Sequence, residues 1–157
     1  FSDEADHVGI LRSTQAGNVA SIMARLSAHT KAMHAVLPAG LARGHLGNPA
    51  AAVRVENLYG IPVLLSSLST LVFTLAEISS LDHHLKVGLE QLQRLYKSTP
   101  APLEYSMAGS LPASALLHLR QLSLLTMISS LSPTNILYQH VVYVLSLPAD
   151  YSKSWFL

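Results

Sequence analysis

The tetrad Thr74-Leu75-Ala76-Glu77 and the residues behind it constrain this chain most. A hydroxyl residue three positions before a glutamate is the capping-box pattern, in which two side chains satisfy backbone N–H groups at a helix start. Behind it, Ile78, Leu81, Leu85, Leu89, Leu92 and Leu95 recur at intervals of three and four and predict one apolar helical stripe. Asp82, Lys86, Glu90 and Arg94 fall every four residues beside it with alternating sign, a spacing that supports a helix through neighbouring pairs. This helix is expected to stop before Pro100, because a residue preceding proline resists helical geometry. So long an amphipathic helix must be covered by others, and the rest of the chain supplies candidates.

Asn18 is a candidate cap for a helix in which Ile22, Leu26, His29, Met33 and Val36/Leu37 recur at helical spacing until Pro38 and Gly40. Gly44 to Gly47 read as a loop. Asn48-Pro49 combines an N-cap residue with a proline at the first helical position. The helix it opens is expected to run through Tyr59, to break at Gly60 and to restart at Pro62, with Leu65, Leu68 and Val72 buried. Pro100 to Ser110 read as a linker with strand character at Leu103 to Met107. Pro112 opens another helix, with Leu117, Leu124, Met127 and Leu131 in line and Leu116, Leu119 and Leu122 widening the stripe, an apolar girth that suggests a central position. Ser132-Pro133 repeats the cap-then-proline signal ahead of Ile136, Leu137, His140, Val141, Val144 and Leu145. Before all of these, His7 to Leu11 read as one short strand whose partners would lie upstream of the chain. The expected fold is all-α: an irregular bundle of about five to six helices behind a short extended N-terminal segment. Its expected divisions are 1–17, 18–97 and 98–157.

Half of the 157 residues are hydrophobic and 12% are charged, roughly half the usual charged share of about 25%. Such a chain is expected to bury apolar surface against a neighbour or against more of its own polypeptide. It begins Phe1-Ser2-Asp3-Glu4 and ends Ser154-Trp155-Phe156-Leu157, and both ends suggest an internal piece of a longer protein. The most membrane-like run, Ile61 to Leu75, opens beside a proline and carries several hydroxyl residues. It falls short of the roughly 20 apolar residues a span needs, so a buried core helix is expected there and no membrane partner.

Charge divides the chain. From His7 to Val55 the basic residues are Arg12, Arg25, Lys31, Arg43 and Arg54, and no acidic residue occurs. From Glu56 onward acidic and basic residues balance. A basic surface without carboxylates is what contact with a phosphate backbone requires, since a carboxylate repels phosphates. These five residues are the candidate nucleic-acid contacts, although five charges spread over this span are sparse and also fit an ordinary solvated surface.

Catalytic and metal chemistry find no support. There is no cysteine, which removes thiolate ligands and nucleophiles. No serine lies in a Gly-x-Ser-x-Gly elbow, and no glycine-rich phosphate loop or paired core carboxylates stand out. Of the eight histidines, the adjacent His83 and His84 point about 100° apart on a helix. His29 and His34 lack the i, i+4 spacing of a helical zinc pair. His118 and His140 fall on or near apolar stripes and read as core or rim residues. No catalytic residue and no metal ligand is assigned.

Several stretches resemble one family. They are Ala5-Asp6-His7-Val8-Gly9-Ile10-Leu11-Arg12-Ser13, Gly17-Asn18, Gly40-Leu41-Ala42-Arg43-Gly44-His45, Gly47-Asn48-Pro49-Ala50-Ala51, and Leu58-Tyr59-Gly60-Ile61-Pro62-Val63-Leu64-Leu65-Ser66. Further on come Gly109-Ser110-Leu111-Pro112, Leu117-His118-Leu119-Arg120-Gln121-Leu122-Ser123-Leu124 and Ser152-Lys153-Ser154-Trp155-Phe156. In order and spacing they resemble the region that follows the palm in reverse transcriptases of non-LTR (LINE-type) retrotransposons. The resemblance implies that His7-Val8-Gly9-Ile10 leaves the palm, that 18–97 is a thumb-like helical region, and that 98–157 is a C-terminal helical extension. It implies a template–primer of RNA and DNA and an upstream palm of the same polypeptide as partners. The catalytic Asp pair of the family, and the divalent metal (Mg) it holds, would belong to that absent palm; no cofactor is implied here. The alternatives are a helical protein–protein interaction module that docks through its leucine-rich face, and a degenerate element copy without activity.

Overall fold

The computed structural model describes residues 4–7, 10–13, 18–36 and 47–146. Its body is an all-α bundle. The helices are α1 (Val19–Val36), α2 (Pro49–Val55) running on through a π-helical turn (Glu56–Gly60) into α3 (Ile61–Leu65), α4 (Leu75–Gln93), α5 (Ala101–Ala108), α6 (Ala113–Ser129) and α7 (Ile136–Ser146). With the continuous run 49–65 taken as one, these are six helices among the described residues. The extended N-terminal segment is a two-stranded antiparallel ladder of β1 (Glu4–His7) and β2 (Ile10–Ser13), with Glu4 opposite Ser13 and His7 opposite Ile10. The sequence suggested one strand over His7 to Leu11 with partners upstream; its described residues instead divide between the end of β1 and the start of β2, which pair with each other.

The capping box opens α4 as expected. Glu77 N–H donates to Thr74 Oγ1 at 3.3 Å, and Thr74 N–H donates to Glu77 Oε2 at 2.7 Å. Leu81, Leu85 and Leu89 are fully buried and Leu92 nearly so. The helix ends at Gln93, well before Pro100, because Arg94 adopts the left-handed conformation at φ 58° and its N–H turns back to Gln91 C=O.

Pro100 opens a helix. Ala101–Ala108 is helical where a linker with strand character was expected. Pro102 lies in the first turn, where its missing N–H costs nothing. Gly109 closes α5 at φ 57°, with Ser110 N–H reaching Tyr105 C=O at 3.0 Å. Tyr105 and Ala108 then join the core.

Asn48 caps α2 through Oδ1, which accepts from Ala50 N–H at 3.0 Å and Ala51 N–H at 3.3 Å. The expected break at Gly60 and restart at Pro62 do not occur. Gly60 stays helical at φ −62° and ψ −56°, and Ile61 N–H returns to Glu56 C=O, five residues back. The wider turn accommodates Pro62, which has no N–H to give and whose ring would crowd the preceding turn of an α-helix. After Leu65 the chain leaves the helix. Leu68 remains buried in a single 3₁₀ turn, Leu68–Thr70, whereas Val72 is exposed. The run from Ile61 to Leu75 therefore feeds the core without being one helix. Among the described residues, no helix is long and apolar enough to cross a membrane.

The centre is α4, which packs against α1, α2, α5 and α6. α6 is not central. Its Ala113, Leu117, Gln121 and Ile128 are buried, but Leu119, Leu122 and Met127 are more than half exposed. The apolar residues of α6 run round its girth while α4 and the 3₁₀ turn cover one side. α7 packs on α6, buries Val141 and leaves Ile136 at 78% exposure. Its start is set by Asn135, whose Oδ1 accepts from Leu137 N–H at 2.9 Å, rather than by Ser132.

Candidate functional site

The sequence-predicted basic residues distribute as follows. Arg25 is half-buried on α1, Lys31 is exposed on the same helix, and Arg54 is exposed at the end of α2. Arg25 and Lys31 stand six positions apart on α1 and so about 120° apart around it. Arg12 belongs to β2, opposite Ala5, and Arg43 lies outside the described residues.

A second group of polar side chains lies inside the bundle, and its members come from three elements. His29 on α1 is 4% exposed and uses both ring nitrogens. Its Nε2 meets Glu56 Oε1 at 2.8 Å, and its Nδ1 meets His84 Nε2 at 2.9 Å. Glu56, at the head of the π turn, is 1% exposed. His84 on α4 is partly exposed, and its ring stands edge-on to that of His29 at a centroid distance of 5.0 Å. Burial first, and then the His29 ring, lower the His84 pKa from its ordinary value. The Glu56 carboxylate fits because residue 60 is glycine: a Cβ there would lie 2.7 Å from Glu56 Cδ and 2.9 Å from Oε1, and would meet Oε2 closest of all. Glu56 Oε2 itself has no hydrogen-bond partner.

Another buried carboxylate lies further along α4. Glu104 of α5 is fully buried, with Lys86 Nζ 3.4 Å from its Oε1 and no hydrogen bond to either oxygen. Lys86 also pairs closely with Glu90, one turn on. Burial raises the Glu104 pKa, whereas the bond from Lys86 lowers that of Glu90. Asp82 faces a different element: its Oδ1 accepts from Ser114 N–H at 3.0 Å and so caps α6, whose first residues offer no side-chain cap. The Asp82 carbonyl accepts from the Tyr105 hydroxyl at 3.3 Å, and burial, with Asp82 second, pushes the Tyr105 pKa up to about 12.

Chemically, the His29 cluster is a line and not a ring. Each nitrogen of His29 is already spent on a neighbour, so the three groups do not converge on one point. No group of three or more His, Asp or Glu among the described residues is placed to hold a metal ion. His118 and His140 are exposed; His118 lines a shallow surface cleft with Phe73, Ile78, Leu117 and Gln121. The sequence reading placed His29 on the buried stripe of α1 but left Glu56 and His84 unassigned. The available signal was Glu56 four residues before Gly60 within an apolar run, the combination of a buried carboxylate and the glycine that admits it. No family profile, curated protein or solved structure matches this chain.

Proposed function

We propose that this chain is the thumb-like helical part of an RNA-directed DNA polymerase of the non-LTR type, non-catalytic in itself, and that it contacts the backbone of the template–primer duplex. The observation that carries the reading is the span from His7 to Val55, which holds five basic residues and no carboxylate. Lys31 and Arg54 of that span are exposed on helices, where phosphate contact needs them, and the resemblance set out above supports the same partner. The test is binding of the chain to an RNA–DNA duplex across a salt series. Each phosphate contact contributes roughly −0.7 to −0.9 to the slope of log K against log salt. Replacing Arg25, Lys31, Arg43 and Arg54 together by glutamine is expected to flatten that slope by up to about 3. Binding that is unmoved by the four changes refutes the reading. The reading also requires, in the polypeptide that carries this stretch, an upstream Asp-Asp turn between two apolar strands.

One observation favours a second reading, a helical module that docks a protein. Leu119, Leu122, Met127, Ile136, Leu137 and Tyr143 all stand about half exposed or more on the adjoining helices α6 and α7, and apolar side chains exposed on neighbouring helices offer a face that a protein partner could cover. Loss of a protein partner on Leu122→Glu, with duplex binding absent from the start, selects this reading over the first.

A further inference from the structure

The line Glu56–His29–His84 joins the π turn, α1 and α4, and its proton count limits what it can do. Glu56 as a carboxylate accepts from His29 Nε2–H at 2.8 Å. The contact between His29 Nδ1 and His84 Nε2, at 2.9 Å, needs one N–H and one lone pair. With both imidazoles neutral, His84 donates and His29 accepts. With one added proton the pair still bonds, and the buried carboxylate gains a compensating positive charge. With a second added proton both facing nitrogens carry hydrogen, no lone pair is left between them, and two cations confront each other across a hydrogen-bond distance.

We propose that Glu56, His29 and His84 form a proton-operated clasp, which holds α1 against α4 while the two imidazoles share at most one added proton and opens when both are protonated. Three features build it. His29 and Glu56 are sealed from solvent, so a charge on either is uncompensated once the line breaks. His84 is partly exposed and is the point where protons enter. Gly60 leaves no side chain where the carboxylate must lie. The groups that act on His84 are His29 from α1, Glu56 from the π turn and His83 on α4 itself. Arg25 sits one turn before His29 on α1, and Arg54 of α2 is exposed. Asp82 is turned to α6, and Lys86, Glu90 and Glu104 make a separate cluster with α5.

The His84 pKa is lowered by burial and then by repulsion from the His29 ring, so the proton His84 resists is the second of the two, and this fixes the sign. The unfolded chain takes up this proton at the ordinary histidine value and the folded chain only at lower pH. The folded state is therefore favoured fully above about 6.5, and this contribution is lost as pH falls from there through the folded value. One proton of difference changes the unfolding equilibrium up to about tenfold per pH unit.

The experiment is urea unfolding of the full chain between pH 5 and 8, with His84→Gln, with His83→Gln as control, and with a ¹⁵N imidazole titration of the wild type. The expected result is that His84→Gln loses up to one proton of the acid-side slope while His83→Gln keeps it. In the titration, His84 protonates below the ordinary histidine range, and the His29 ring signals shift in the same step. Parallel pH profiles for wild type and His84→Gln overturn the clasp. So does a His84 that titrates at the ordinary value with His29 unaffected, a readout that stands even where the variant does not fold.

Discussion

Replacing Gly60 by alanine tests the packing of the buried carboxylate most directly. In an ordinary helix interior the change stabilises by about 1 kcal/mol, the difference in helix propensity, and Gly60 has ordinary helical angles of φ −62° and ψ −56°. Here the new methyl would stand 2.7 Å from Glu56 Cδ and 2.9 Å from Oε1, inside the distances carbon atoms tolerate. The carboxylate is the end of a side chain and could move, but it is 1% exposed and held by His29 at 2.8 Å. Moving it breaks a buried, charge-assisted bond, a loss of about 3–5 kcal/mol. The net expectation for Gly60→Ala is destabilisation by about 2–4 kcal/mol, a large part of a typical stability of about 5–15 kcal/mol. Urea unfolding followed by far-UV circular dichroism measures it. The sharper measurement is the same change in a Glu56→Ala background, where no carboxylate remains to meet and alanine at 60 should stabilise by about 1 kcal/mol. A reversal of sign between the two backgrounds is the signature of the contact. A Gly60→Ala protein as stable as the parent, or the same effect in both backgrounds, refutes the reasoning.

Other expectations follow from single contacts. Thr74→Ala removes the hydroxyl of the capping box and should cost about 0.5–2 kcal/mol, read as a lower urea midpoint with an unchanged slope. Glu104 has a pKa raised above its ordinary 4.5 by burial, so the folded state holds this proton more tightly than the unfolded chain. Its contribution is present below 4.5 and is lost as pH rises through the folded value. Glu104→Gln should therefore flatten the decline in stability above that pH, and parallel profiles would count against a buried, proton-holding Glu104. Tyr105, at about 12, should be the late phenol in an absorbance titration, and Tyr105→Phe should remove that late step. Leu122→Glu on the open side of α6 should shift stability by no more than about 0.5 kcal/mol; a core-sized loss would mean that this face is covered.

Much of the bundle was legible because its signals are local. Thr74 with Glu77, and Asn48 with Pro49, are helix starts written in adjacent residues, and both caps form. Ile22, His29 and Met33 of α1 and Leu81, Leu85, Leu89 and Leu92 of α4 are buried where periodicity places them, whereas Leu95 lies beyond the end of α4 and Leu37 outside the described residues. The failures involve residues whose meaning depends on what lies opposite. Pro100 and Pro102 look like breakers, yet proline suits the first turn of a helix, and Tyr105 and Ala108 have a core to reach. The girth of α6 suggested a central helix, because composition counts apolar residues without saying whether neighbours cover them. The line of Glu56, His29 and His84 was harder still. Glu56 four residues before Gly60 is the one local sign, and only the packing of α1 against the π turn and α4 brings Glu56 and His84 to His29. The basic residues remain a sequence argument, with Lys31 and Arg54 on the surface of their helices.

The π turn at 56–60 also bears on how this helix came to have its length. Under a uniform advance of about 100° per residue, Ile61 would stand on the side of the helix opposite Ala52, and Leu65 about 140° away from Ala52. Yet Ala52, Val53, Ile61, Leu64 and Leu65 are all buried in one core. The five-residue turn, closed by Ile61 N–H on Glu56 C=O, takes up one residue more than an α-turn and brings the two ends back into phase. Structurally, that is an insertion of one residue absorbed without displacing the helix. A homologue one residue shorter between Glu56 and Gly60 would keep the same apolar stripe on an uninterrupted α-helix. It would lose the spacing that sets a glycine under the carboxylate, so such a chain should carry a side chain in place of Gly60 and an uncharged residue in place of Glu56.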